Sequence, residues 1–161
     1  MTPYGERIPR AHGLCIDREG WIIGADAGTG KVIRISPNAD KVEVLADSFE
    51  GFLFASTRDV AIGPEGDVYA SSPEAGVIYR IRPSDGFVDI LNEDLVRVEE
   101  LAISPDGRHL VGAEPDAIRV VVFDLDEGDE PVASRTLVDF ATSGQEPFGL
   151  TFDESGRLYV G

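Results

Sequence analysis

Residues 99–114, EELAISPDGRHLVGAE, carry two short apolar runs joined by a turn that closes on Gly107. Leu101 and Ile103 alternate with smaller residues, the period of a half-buried strand. Ser104-Pro105-Asp106-Gly107 is turn chemistry, with glycine placed where a positive φ meets no Cβ penalty. The run from His109 to Ala113 then predicts a second strand returning alongside the first.

The same pattern occurs three more times: HGLCIDREGWIIGAD at 12–26, RDVAIGPEGDVYASS at 58–72 and FGLTFDESGRLYVG at 148–161. In every copy an apolar residue stands six positions before the glycine: Leu14 and Gly20, Val60 and Gly66, Leu101 and Gly107, Leu150 and Gly156. The copies are spaced by 46, 41 and 49 residues. Between them, Val32–Ile35, Val77–Ile81 and Ile118–Phe123 predict a third strand, and Val42–Leu45, Phe87–Leu91 and Arg135–Val138 a fourth. Four antiparallel strands in each repeat of about 40 to 50 residues is the blade of a β-propeller, in which each sheet covers the apolar face of the next.

The expected fold is therefore all-β: about three and a half four-stranded antiparallel blades of a larger ring. The blades fall at about 12–56, 57–97 and 98–146, with the start of another at 147–161. Read this way, residues 1–161 form one partial propeller domain, a fragment of a longer product. Its uncovered blade edges would otherwise invite self-assembly.

Composition agrees with a folded β protein. Of 161 residues, 42% are hydrophobic, and the 18 glycines and 10 prolines fall between apolar runs. Thirty acidic against 14 basic residues give a net charge of −16, which repels nucleic acid and anionic membrane surfaces. Lys31 and Lys41 are the only lysines. Such an acidic, lysine-poor surface is what a protein kept soluble in concentrated salt carries, so a halophilic source is expected. No apolar stretch has the length of a membrane span and MTPYGERIPR lacks a signal-peptide core, which leads to the expectation of a cytoplasmic protein. The lone Cys15 lies between Leu14 and Ile16 and is read as a packed thiol rather than a nucleophile.

The stretches EGFLFASTRDVAIGPEGDVYASSP (50–73), SPDGRHLVGAE (104–114), IRVVVFDLDEG (118–128) and TLVDF (136–140) resemble the senescence-marker-protein/gluconolactonase/LRE-like family and the related strictosidine-synthase-like proteins. The resemblance runs from about His12 to Gly161 and implies a six-bladed ring, of which this chain supplies the second to fourth blades and the opening of the fifth. It also implies a divalent cation, often calcium, in the central channel, held by acidic or amide side chains just before the innermost strand of several blades. Such a cation polarises a lactone or ester carbonyl and activates water. The function implied is a metal-assisted lactone or ester hydrolase; the alternative is a non-catalytic propeller that binds a small molecule or a protein.

The positions corresponding to the family's ligands are His12, Arg58, Glu99 and Phe148, two residues before each leading apolar residue. Where the family has asparagine in its third and fourth blades this sequence has Arg58 and Glu99, and where it has aspartate in the fifth, Phe148. A first-blade glutamate of the family would lie upstream of Met1. Glu99 is the candidate metal ligand, with Asp59 and Glu100 able to shift in. Arg58 would repel a cation and Phe148 offers it no atom, so the usual site is expected to be lost. Arg58 is then expected either to pair with Glu99 or to hold an anionic ligand.

Other constellations have plainer readings. His12 is read as a loop histidine at the channel mouth, open to service as base or ligand. His109 has no carboxylate or cysteine at a metal-sharing spacing and receives no role, and Asn38 and Asn92 are placed in loops. GADAGTGKV (24–32) shares glycines and a lysine with phosphate loops, but Val32 replaces the hydroxyl residue and a strand follows instead of a helix. DLDEGDEP (124–131) lacks the sixth-position glycine of a calcium loop and is read as a solvated acidic turn.

Overall fold

A computed structural model describes residues 10–125 and 132–161. Three four-stranded antiparallel sheets follow one another along the chain. The first holds β1 (Ala11–Ile16), β2 (Ile22–Asp26), β3 (Lys31–Ile35) and β4 (Val42–Ala46). A short hairpin, β5 (Ser48–Phe49) and β6 (Phe52–Leu53), leads to the second sheet: β7 (Val60–Ile62), β8 (Val68–Ser72), β9 (Val77–Arg82) and β10 (Phe87–Asn92). The third comprises β11 (Leu101–Ile103), β12 (His109–Glu114), β13 (Arg119–Asp124) and β14 (Arg135–Asp139). A two-stranded sheet, β15 (Leu150–Phe152) and β16 (Leu158–Val160), closes the described chain. Innermost strands stand side by side, β1 by β7, β7 by β11 and β11 by β15. The only helical element among the described residues is a three-residue 3₁₀ turn, Pro115–Ala117.

The core lies between sheets, and strand alternation divides it. On β8, Val68 and Ala70 face a cluster shared with Ile23, Ala25 and Val32 of the first sheet. Tyr69, between them, faces the opposite cluster with Leu101, Leu110 and Phe123 of the third sheet. On β12 the same division sends Leu110 one way and Val111 the other, toward Leu150, Phe152 and Leu158. A middle sheet covered on both faces has no solvent side, so all five residues of β8 are buried. Each fully buried valine or isoleucine in these layers contributes about 1.5–3 kcal/mol.

Several expectations need correction. Leu14 is 59% exposed whereas its counterparts Val60 and Leu101 are buried, and Ile16 is 69% exposed whereas Ile62 and Ile103 are half-buried, because no described sheet packs against that face of β1. Cys15, on the other face, packs against the first core cluster. Ile118 is not in the third strand: it caps the 3₁₀ turn in the left-handed region at φ 53°, and β13 starts one residue later. Asn92 is no loop residue but the last of β10; it is buried and donates to the Val132 carbonyl at 2.9 Å. Of the acidic turn read at 124–131, residues 126–131 lie outside the described residues, and Asp124 belongs to β13.

Candidate functional site at the channel end of the innermost strands

Each innermost strand begins with the same irregularity. In the second sheet Arg58 and Asp59 together oppose Ser71: the Arg58 amide donates to the Ser71 carbonyl and the Ser71 amide to the Asp59 carbonyl, both at 3.0 Å. Glu99 and Glu100 oppose Ala113 in the same way, at 2.9 and 3.0 Å, and Phe148 and Gly149 oppose Gly161, at 2.9 and 3.0 Å. In the first sheet the register slips between Ala11 and Leu14, which leaves His12 and Gly13 opposite Ala25. Two residues against one is a β-bulge, a device that bends the strand and re-aims side chains. His12, Arg58, Glu99 and Phe148 thus occupy one structural position repeated four times.

The structure brings two of these four into contact. Arg58 Nη2 lies 3.4 Å from Glu99 Oε2, while Arg97, from the segment leading into β11, donates through Nε to Glu99 Oε1 at 2.7 Å. The Glu99 side chain is 9% exposed; those of Arg58 and Arg97 are 36% and 47% exposed. His12 and Phe148 are exposed at the equivalent bulges. The backbone around Glu99 is fixed as well, since Ser71 Oγ donates to the Glu99 carbonyl at 2.9 Å across the seam between sheets.

Asp59 serves the scaffold. Its Oδ2 accepts the Leu101 amide at 2.7 Å and its Oδ1 the Val60 amide at 2.9 Å. Burial pushes this carboxyl up from 3.8 to about 6, with the Glu100 charge acting in the same direction, against the two amides and the charge of Arg58. Gly13 lies so close that a Cβ there would stand 1.8 Å from Asp59 Oδ1. Burial likewise pushes the Cys15 thiol up to about 12, aided by Asp59 and Asp17, which fits the packed, unreactive role read for it.

The residues at the four bulges do not fit a divalent cation. Each oxygen of the Glu99 carboxylate already faces a guanidinium, Phe148 has no ligand atom, and Arg58 carries a permanent positive charge. Two unit charges 4 Å apart repel by about 1 kcal/mol even at the dielectric of water. Among the described residues no group of three or more His, Cys, Asp or Glu is placed to hold a metal ion.

Two contacts were not foreseen. Arg97 lies before the repeat, in a segment whose sequence carries no site signal. His109, which has no carboxylate or cysteine at a metal-sharing spacing and no assigned role, has Nδ1 2.8 Å from Asp124 Oδ1, because β12 and β13 pair those residues directly. No helix among the described residues is long and apolar enough to cross a membrane.

Comparison with known proteins shows the family. The model of the SMP-30/gluconolactonase/LRE-like region matches residues 38–161. A gluconolactonase from Zymomonas mobilis is 28% identical over 184 residues, covering 98% of this chain and 51% of that protein. The strictosidine synthase-like 7 protein of Arabidopsis thaliana is 23% identical, covering 94% and 43%. The structure of a gluconolactonase from Xanthomonas campestris superposes with a TM-score of 0.80 at 18% identity, over 93% of this chain and 55% of that one, which shows a shared propeller fold. The chain spans about half the length of the curated relatives it matches. With the family model matching well over half of its residues, the chain belongs to the SMP-30/gluconolactonase/LRE-like family.

Proposed function

We propose that the protein is a hydrolase of lactone or ester bonds whose substrate sits at the channel end of the innermost strands. Membership of the family supports the reaction class, and the observation that carries the location is the contact between Arg58 and Glu99 at equivalent bulges of neighbouring blades. In the reaction on a lactone, water adds to the carbonyl carbon, the C–O bond to the ring oxygen breaks, that oxygen takes up the proton given up by the water, and a hydroxy acid leaves. Negative charge develops on the carbonyl oxygen as water adds. Arg58, charged at every working pH and partly open to solvent, is the donor on this chain suited to meet it.

A second reading, a propeller that binds a small molecule without turning it over, is favoured by one observation: the Glu99 carboxylate is held by two guanidiniums and so is poorly free to act as a base. Hydrolysis of an aldonolactone, followed by acid release against the uncatalysed rate, separates the two. Turnover that falls about 100-fold or more in Arg58→Ala, the loss expected on removing an oxyanion donor, supports the hydrolase. Saturable binding of the lactone with no turnover supports the second reading.

A further inference from the structure

Arg58 is underused where it stands. A guanidinium carries five N–H donors, and the single contact recorded for this one among the described residues is to Glu99 Oε2 at 3.4 Å, beyond the usual span of an N–H···O bond. Arg97 takes the stronger position on the same carboxylate, at 2.7 Å through Nε. One carboxylate therefore stands between two guanidiniums, and Arg97 has the stronger hold on it. Asp59 and Glu100 adjoin Arg58 and Glu99 in sequence, and the charges of Asp116 and Glu74 act on Arg97. The Asp59 oxygens are turned to the Leu101 and Val60 amides, so that carboxylate acts on Arg58 through its charge and not through a direct bond.

Arg58 also occupies the bulge position that is shared by Glu99, His12 and Phe148 and that does not fit a cation. We propose that the guanidinium of Arg58 does the work of that cation: the channel end binds a carboxylate-bearing hydroxy acid directly, in a fork of two N–H donors, with no divalent metal. Glu99 and Arg97 are positioning residues. Glu99 restrains Arg58 from one side, and Arg97 restrains Glu99, so the fork is held in place before the ligand arrives. This inference rests on the proposed function only for the location of the ligand, since an acid can be held whether or not the chain makes it.

The test is calorimetric titration of the full chain with gluconate, in chelator and again in millimolar calcium. The expected result is saturable binding with the same affinity in both. Arg58→Gln should weaken it by about tenfold or more, and Arg58→Lys, which keeps the charge but not the fork, should recover part of the loss. Arg97→Gln, which removes the closer partner of Glu99, should raise the dissociation constant by less than Arg58→Gln does. Binding that vanishes in chelator and returns with calcium overturns the inference, as does absence of gluconate binding in both conditions, or an Arg58→Gln protein of unchanged melting temperature that binds normally. The two readings fail separately. Lactone turnover that needs calcium leaves the hydrolase standing and removes this inference; metal-free gluconate binding without turnover does the reverse.

Discussion

Asp59 Oδ2 accepts the backbone N–H of Leu101 at 2.7 Å, so a side chain at the start of one innermost strand ties down the start of the next. Because Arg58 precedes Asp59 and Glu99 lies two residues before Leu101, the same bond sets the distance across which Arg58 and Glu99 meet. The carboxylate sits largely out of water to do this.

Burial raises the Asp59 carboxyl from 3.8 to about 6, and the sign of its effect on stability follows. Between about pH 4 and about pH 6 the folded chain holds a proton that the unfolded chain has released, so this group's contribution falls as pH rises through that window. The contribution is fully present below about pH 4, gone above about pH 6, and at most on the order of 2–3 kcal/mol. Asparagine at this position cannot titrate and keeps an acceptor for Leu101. The difference in unfolding free energy between the native protein and Asp59→Asn should therefore move in favour of the native protein as pH falls through the window. A difference independent of pH removes the assignment.

Gly13 is required by close approach rather than by its own φ. Its amide donates to the Arg58 carbonyl at 2.9 Å, and a Cβ would stand 2.5 Å from Asp59 Cα as well as 1.8 Å from Oδ1. Gly13→Ala should cost about 1–3 kcal/mol of stability, the range for overpacking a closed contact. In an Asp59→Ala background the penalty should shrink, because Oδ1 and Cγ, two of the three closest atoms, belong to the side chain removed. Chemical unfolding of the four proteins of the cycle measures the coupling; strictly additive losses contradict this account of the seam.

The blades were legible because their signals are local: alternation at Leu101 and Ile103, and a glycine six residues after the leading apolar position. The equivalence of His12, Arg58, Glu99 and Phe148 was legible for the same reason, since register carries from copy to copy. What escaped depends on contacts between segments. β5 and β6 are two residues each, too short to show a period, and they hold their place through Phe49 and Phe54 near Tyr79, with the Phe54 and Tyr79 rings stacked at 4.0 Å. Arg97 lies in a connecting segment without repeat signal, and nothing before the fold links it to Glu99. His109 meets Asp124 through hairpin register across a 3₁₀ turn whose length the sequence pattern does not set.

The charge of the whole chain predicts its response to salt. Thirty acidic residues face only 14 basic ones, so repulsion among carboxylates outweighs the exposed ion pairs that salt also screens. The melting temperature should rise from low to molar sodium chloride. A flat or falling midpoint would remove the reading of this surface as adapted to concentrated salt.

The last prediction turns the misfit at the bulges into a gain of binding. Three substitutions, Arg58→Asn, Glu99→Asn and Phe148→Asp, remove the guanidinium that repels a cation and place oxygen donors at three bulges of adjacent strands. Removing Glu99 also frees Arg97, whose side chain is 47% exposed and can turn to water. Oxygen sites with few charges bind calcium with dissociation constants of about 0.1–1 mM. At calcium some tenfold to a hundredfold above that value the stabilisation is about 1.4–2.7 kcal/mol. For a domain of this size that is a rise in melting temperature of roughly 3–10 °C. The unsubstituted chain should show no such rise at the same calcium, and Phe148→Asp alone should show little, because Arg58 remains. A native chain already stabilised by calcium to this extent would mean that the cation reaches these strands despite Arg58. A triple variant that folds and stays insensitive to calcium would mean that more than Arg58 and Phe148 separates this channel end from a cation site.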